Sequence, residues 1–182
     1  DDLSRIAPAE KDGFLFASVD PVETFDAFIG DAFSSFDNYK TAGLKLTATR
    51  EYEVDAHWAL YCENYLEGFH IPYVHPSLNS IVDYGTYKTD TFRFSSLQTG
   101  YNDAGDVAAR YLFVFPNLML NYYPWGVSVN VVRPVTPVKT IVEFYTYVSD
   151  GAIADHGAGA DLHGVEMEDE AEEKKADHEE RM

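Results

Sequence analysis

From Ala56 onward the chain carries neither glycine nor proline until Gly68, and Trp58, Tyr61, Tyr65 and Phe69 fall at i, i+3, i+7 and i+11. That is the apolar stripe of an amphipathic helix. Asp55 stands where a side chain could cap its first turn. Pro72 has no amide hydrogen to give and its ring clashes with the preceding turn, so a regular helix cannot run through it. The spacing predicts one principal helix over 56–69, with His70 at its end and His75 in or just past the following turn. A helix with one aromatic face must bury it against another layer.

That layer is legible as sheet. The chain has 13 Tyr and 12 Phe, side chains that favour strands over a plain helical bundle. Residues 44–54 alternate as a long half-exposed strand. Further antiparallel strands are predicted over 87–97, 110–115, 118–123, 127–133 and 140–148, with turns at 100–105, 116–117 and 124–126. Residues 13–20 read as a short strand stopped at Pro21. Val22, Phe25, Phe28, Ile29, Phe33 and Phe36 sit at helical spacing and suggest one or two short helices. Residues 1–12 are polar without periodicity. Residues 150–164 read as a loop, and 165–182 as a terminal helix or a solvated tail. No internal repeat is present. The outline is an α+β domain, a curved antiparallel sheet wrapped over a long helix, with a cavity for a small molecule between them.

Length and composition narrow the classes. A chain of 182 residues with 46% apolar content suits one domain with a sizeable core. The formal charge of −18 argues against nucleic acid and anionic membrane as partners. No apolar run approaches the roughly 18 residues of a membrane span, and no signal peptide is visible. A cytoplasmic location is expected. The single cysteine, Cys62, excludes an internal disulfide and any cysteine-ligated iron–sulfur cluster within the chain. It reads as a small buried apolar side chain.

Within and beyond the helix lies Glu67-x-x-His70-x4-His75. On an unbroken helix, two residues five apart diverge by about 140°. The break at Pro72 lets both imidazoles turn to one centre. Two histidines and one carboxylate on one face are the ligand set of non-haem Fe(II) oxygenases, and they leave the opposite positions open. The carboxylate must then come from another element. By spacing alone, such a histidine pair is more often ordinary core or surface, Glu67 a solvated helix charge, and an acidic run a solvated face. His57, His156, His163 and His178 are isolated and read as surface or loop residues.

The stretch Ala56-His57-Trp58-Ala59-x3-Glu63-Asn64-Tyr65-Leu66-Glu67-Gly68-Phe69-His70-x2-Tyr73-Val74-His75-Pro76 resembles the signature of the catalytic domain of Rieske non-haem iron oxygenases. These are the large subunits of aromatic-ring-hydroxylating dioxygenases and their relatives acting on choline- or carnitine-like amines. Phe115-Pro116-Asn117-Leu118-Met119-Leu120, Val132-Arg133-Pro134 and Val165-Glu166-Met167-Glu168-Asp169 extend the likeness over roughly residues 13–170.

The resemblance implies a helix-grip, START-like fold over 1–170, followed by an acidic tail or frayed helix over 171–182. It implies Fe(II) held by His70, His75 and Asp169, with Glu166, Glu168 and Glu170 as alternatives for the carboxylate. Glu67 becomes the acidic bridge to a Rieske [2Fe–2S] cluster on a neighbouring subunit, and Asn64 a residue near the iron. Phe69, Asn117 and Tyr123 are the expected substrate-pocket residues. The implied reaction is O₂-dependent hydroxylation of an aromatic or amine small molecule with NAD(P)H-derived electrons, delivered through a reductase or ferredoxin. The implied full-length assembly is a homotrimer whose Rieske domain would precede residue 1. Without that domain the chain is expected to bind iron yet turn over poorly. A metal-free helix-grip module binding a small ligand is the second reading, and a zinc hydrolase using the same histidines the third.

Overall fold

A computed structural model of the chain describes residues 6, 8–34, 41, 43–68, 70, 73 and 84–152. Its centre is a seven-stranded antiparallel sheet. The strands are β3 (Lys45–Val54), β4 (Lys88–Thr91), β5 (Ser95–Tyr101), β6 (Val107–Val114), β7 (Leu118–Tyr123), β8 (Gly126–Thr136) and β9 (Lys139–Val148). Their spatial order is β3-β9-β8-β7-β6-β5-β4. Strands β4 to β9 therefore form an unbroken meander, and β3 joins it from the far side by pairing with β9. Ahead of the sheet, β1 (Ala9–Lys11) and β2 (Phe14–Phe16) make a small separate hairpin.

Most predicted strands are present, with shifted limits. The stretch 87–97, expected as one strand, is two: β4 and β5 turn about Phe92–Phe94, where the Phe92 amide bonds the Ser95 carbonyl over 2.8 Å. The polar segment before residue 13 holds β1, which sequence pattern missed because its exposed hairpin carries little alternation. Pro134 lies inside β8 rather than beyond it, at a register shift between Pro134 and Thr136 opposite β9. A bulge tolerates the missing amide hydrogen.

Alternation along the strands gives the sheet two apolar faces. One buries Leu97, Leu112, Val114, Leu120, Val127 and Val129 under Ile29 and Phe33 of α1 (Phe25–Ser34). The Thr24 hydroxyl accepts from the Ala27 amide at the start of α1, a normal N-terminal cap. At Gly30 φ is +54°, and the kink there divides α1 into two helical pieces, in agreement with the sequence. The other face buries Phe113, Met119, Val132, Val142 and Phe144 against Cys62, Trp58, Tyr61, Tyr65 and Leu66 of α2 (Trp58–Leu66). So α2 lies on one face and α1 on the other.

Helix α2 has nine residues, so the long helix expected over 56–69 is shortened at both ends. Its N-cap is His57, not Asp55: His57 is extended, and its Nδ1 accepts from the Ala59 amide over 3.2 Å. Its C-cap is Glu67, also extended, whose amide bonds the Glu63 carbonyl over 3.3 Å. Gly68 and Pro72 follow, and both are poor helix continuers. Among the described residues, no helix is long and apolar enough to cross a membrane.

Candidate metal-binding site

The C-terminal end of α2 is fixed from beneath by buried polar side chains. Cross-strand register aligns Gln98 with Tyr111, Tyr111 with Asn121, Asn121 with Ser128, and Ser128 with Thr146. All five are buried. A row of this kind is costly inside a core unless its groups are hydrogen-bonded. Gln98 and Asn121 meet that requirement by bonding to Tyr65. The Tyr65 hydroxyl donates to Asn121 Oδ1 over 2.8 Å, and Gln98 Nε2 donates to the Tyr65 carbonyl over 2.8 Å. Gln98 Oε1 accepts from the Tyr87 hydroxyl over 3.0 Å. Asn121 Nδ2 donates to Asn130 Oδ1, which also accepts from Ser128 Oγ. Burial, and then the neighbouring tyrosines, push the Tyr65 phenol well above its ordinary range.

Past the cap, the chain turns so that the Tyr73 amide bonds the His70 carbonyl over 2.9 Å. This is the turn that the proline predicts between the two histidines. The His70 side chain is largely buried and Glu67 is more open. The Glu67 carboxylate Oε1 meets His70 Nδ1 directly. Glu67 thus engages the ring although it is extended rather than helical, a difference from the helical placement the spacing suggested. A carboxylate on one imidazole nitrogen fixes ring orientation and tautomer and raises the basicity of the other. With Nδ1 committed to Glu67, Nε2 is the nitrogen that would face a metal. The residues present therefore fit an imidazole metal ligand with its supporting carboxylate.

The other expected site residues divide. His75, Phe69 and Asp169 lie outside the described residues. Among the described residues, no group of three or more His, Cys, Asp or Glu forms a metal cluster. Asn64 is on the exposed side of α2. Asn117 sits in the β6–β7 turn, where its amide donates to the Val132 carbonyl over 2.8 Å and its own carbonyl accepts from the Val132 amide. It braces two hairpins at the apolar end of the α2 face. Tyr123 is half-buried and closes an aromatic chain: Tyr65 lies edge-on to Tyr111, Tyr111 edge-on to Tyr123, and Tyr123 stacks on Trp125 at 4.8 Å. Sequence reasoning missed Gln98, Asn121 and Asn130. A polar residue on the inward phase of an apolar strand was the available signal.

The comparisons agree with this architecture. The family described as ring hydroxylating alpha subunit (catalytic domain) matches residues 85–178, just over half of the chain. The chain belongs to that family. It is 38% identical over 127 residues to the chloroplastic choline monooxygenase of Arabidopsis thaliana, covering 63% of this chain and 29% of that protein. It is 26% identical over 176 residues to the chloroplastic choline monooxygenase of Beta vulgaris, covering 85% of this chain and 39% of that one. The chain thus spans well under half the length of these relatives. In fold it is similar to the quaternary ammonium Rieske monooxygenase CntA, with a TM-score of 0.71, 21% identity, and coverage of 89% of this chain and 50% of that one. It is also similar to naphthalene 1,2-dioxygenase from Rhodococcus sp., with a TM-score of 0.68, 17% identity, and coverage of 83% and 47%.

Proposed function

We propose that residues 1–170 are the iron-binding catalytic domain of a Rieske-type oxygenase that hydroxylates an amine, with 171–182 as an acidic tail. The observation that carries this reading is the contact of the Glu67 carboxylate with His70 Nδ1. It is the arrangement that orients a metal-bound imidazole through its second nitrogen. His70, His75 and Asp169 would hold Fe(II). When bound, the iron supplies O₂ activation. The protein's part is to fix the imidazoles, shape the pocket and exclude water. The α2-over-sheet arrangement supports a helix-grip description.

Glu67 has two tasks. It orients His70, and its partly exposed carboxylate would stay within reach of an electron donor. That donor would be the [2Fe–2S] Rieske cluster of a neighbouring subunit in a homotrimer, charged from NAD(P)H by a reductase or ferredoxin. Choline monooxygenases are among the most similar relatives, which favours a quaternary amine over an aromatic hydrocarbon as substrate. Half-buried Tyr123 and Trp125, stacked on each other at 4.8 Å, would offer such a cation their outer ring faces.

The test is the iron content of the purified 182-residue chain reconstituted anaerobically with Fe(II). The wild-type chain should retain iron, and the His70→Ala/His75→Ala double variant should lose it. Equal stoichiometry in the two would sink the assignment.

A further inference from the structure

Gln98 is 2% exposed and lies on β5, next to the edge strand β4 of the sheet. Its amide group is used at both ends. Nε2 donates to the carbonyl of Tyr65, one residue before the last of α2, and Oε1 accepts from the hydroxyl of Tyr87, just before β4. The last carbonyls of any helix lack intrahelical donors. Here a sheet side chain supplies a donor to one of them, the Tyr65 carbonyl.

Tyr65 and Tyr87 bracket, in sequence, the part of the chain between the end of α2 and the start of β4. That part holds Glu67 and His70. Holding both brackets on one amide fixes the two ends of that part close together, where bringing chain ends together otherwise costs entropy. A second fastening, from the Tyr65 hydroxyl to Asn121, keeps the first bracket from rotating about its helix axis.

We propose that Gln98 is a positioning residue for the metal site: its side-chain amide ties the start and the return of the histidine-bearing segment to β5 and so sets where Glu67 and His70 stand. This rests on the metal reading above for its consequence, but not for its geometry. The donor and acceptor ends have separate roles. Tyr87→Phe removes only the return tie, whereas Gln98→Leu removes both at nearly constant volume.

Two measurements on the full 182-residue chain test the proposal. Val127→Ala, on the opposite α1 face of the sheet, serves as a comparison at matched melting temperature. The first measurement is hydrogen exchange without metal at the Glu67 and Tyr73 amides, which bond the Glu63 and His70 carbonyls. Gln98→Leu should speed both by about tenfold or more over Val127→Ala, with Tyr87→Phe between them. Equal exchange in Gln98→Leu and Val127→Ala overturns the proposal. The second is Co(II) affinity by competition with a chelating dye. Gln98→Leu should weaken it by roughly 10- to 100-fold, as loss of outer support does elsewhere, and Val127→Ala should leave it unchanged. Unaltered affinity in Gln98→Leu also overturns the proposal. A wild-type chain that binds no Co(II) sinks the metal reading instead, and the exchange result alone then decides the role of Gln98.

Discussion

The hydroxyl of Tyr65 donates to Oδ1 of Asn121 over 2.8 Å, and this bond joins the end of α2 to β7, the middle strand of the sheet. Asn121 is 2% exposed, so water cannot replace the lost partner. Tyr65→Phe should cost about 1–3 kcal/mol, the usual penalty for stranding a buried polar group, read from urea unfolding. The pH dependence has a definite sign. The folded state holds the Tyr65 proton more tightly than the unfolded chain does. Below the ordinary tyrosine range both states are protonated and no pH dependence arises from this group. Above it the unfolded chain ionises first, and stability falls as pH rises. Tyr65→Phe should flatten that alkaline slope.

Cys62 faces the sheet from α2, with its thiol 3.7 Å from the Pro116 carbonyl. Burial pushes the thiol up to about 11. The thiolate is the reactive form, so iodoacetamide at pH 8 should leave the folded chain unmodified and label it quickly in denaturant. Mass spectrometry separates the two. Labelling of the folded chain at the rate of free cysteine would mean that α2 does not seat on the sheet.

At the start of β8, Gly126 lies against the backbone of β9. A Cβ built there would stand 2.1 Å from the Tyr147 carbonyl oxygen. That neighbour is main chain held in the ladder and cannot swing aside. Gly126→Ala should therefore destabilise by about 1–3 kcal/mol, in the range of overpacked cores. A change within experimental error in thermal melting would contradict this.

Glu67→Gln keeps the size of the side chain but removes the charge beside His70. An amide is a weaker acceptor from an imidazole than a carboxylate. The expected outcome is a loss of roughly 10- to 100-fold in Co(II) or Fe(II) affinity, measured by chelator competition, with little change in melting temperature because Glu67 is partly open.

The parts of this fold written in short-range pattern were legible beforehand. Strand β7 was predicted as 118–123 and is Leu118–Tyr123, because its inward residues and flanking Pro116 and Pro124 bound it on both sides. Strands β3 and β9 were found within one residue of their limits. The end of α2 was not. The aromatic stripe extends to Phe69 in sequence, but the helix stops at Leu66, where a sheet amide captures the Tyr65 carbonyl. Gly68 marks the region locally, but the capture that sets the last turn is tertiary. The site was readable in type, since Glu67 and His70 do meet. Its supports, Gln98 and Asn121, lie 31 and 54 positions beyond Glu67 in the sequence, at 98 and 121. Only strand register brings them beneath the helix.

The meander has a consequence for how the chain is made. Strands β4 to β9 each find a partner next door in sequence, but Lys45 of β3 pairs with Val148 of β9. During synthesis β3 emerges early and remains without its ladder until roughly a hundred more residues have followed, which at ribosomal speeds is on the order of 5–20 s. Leu46, Tyr52 and Val54 are then open to the wrong neighbours. The charged side chains Lys45, Arg50, Glu51 and Glu53 discourage edge-to-edge association during that interval. Late arrival of β9 thus makes the β3 strand the last to find its place in the sheet.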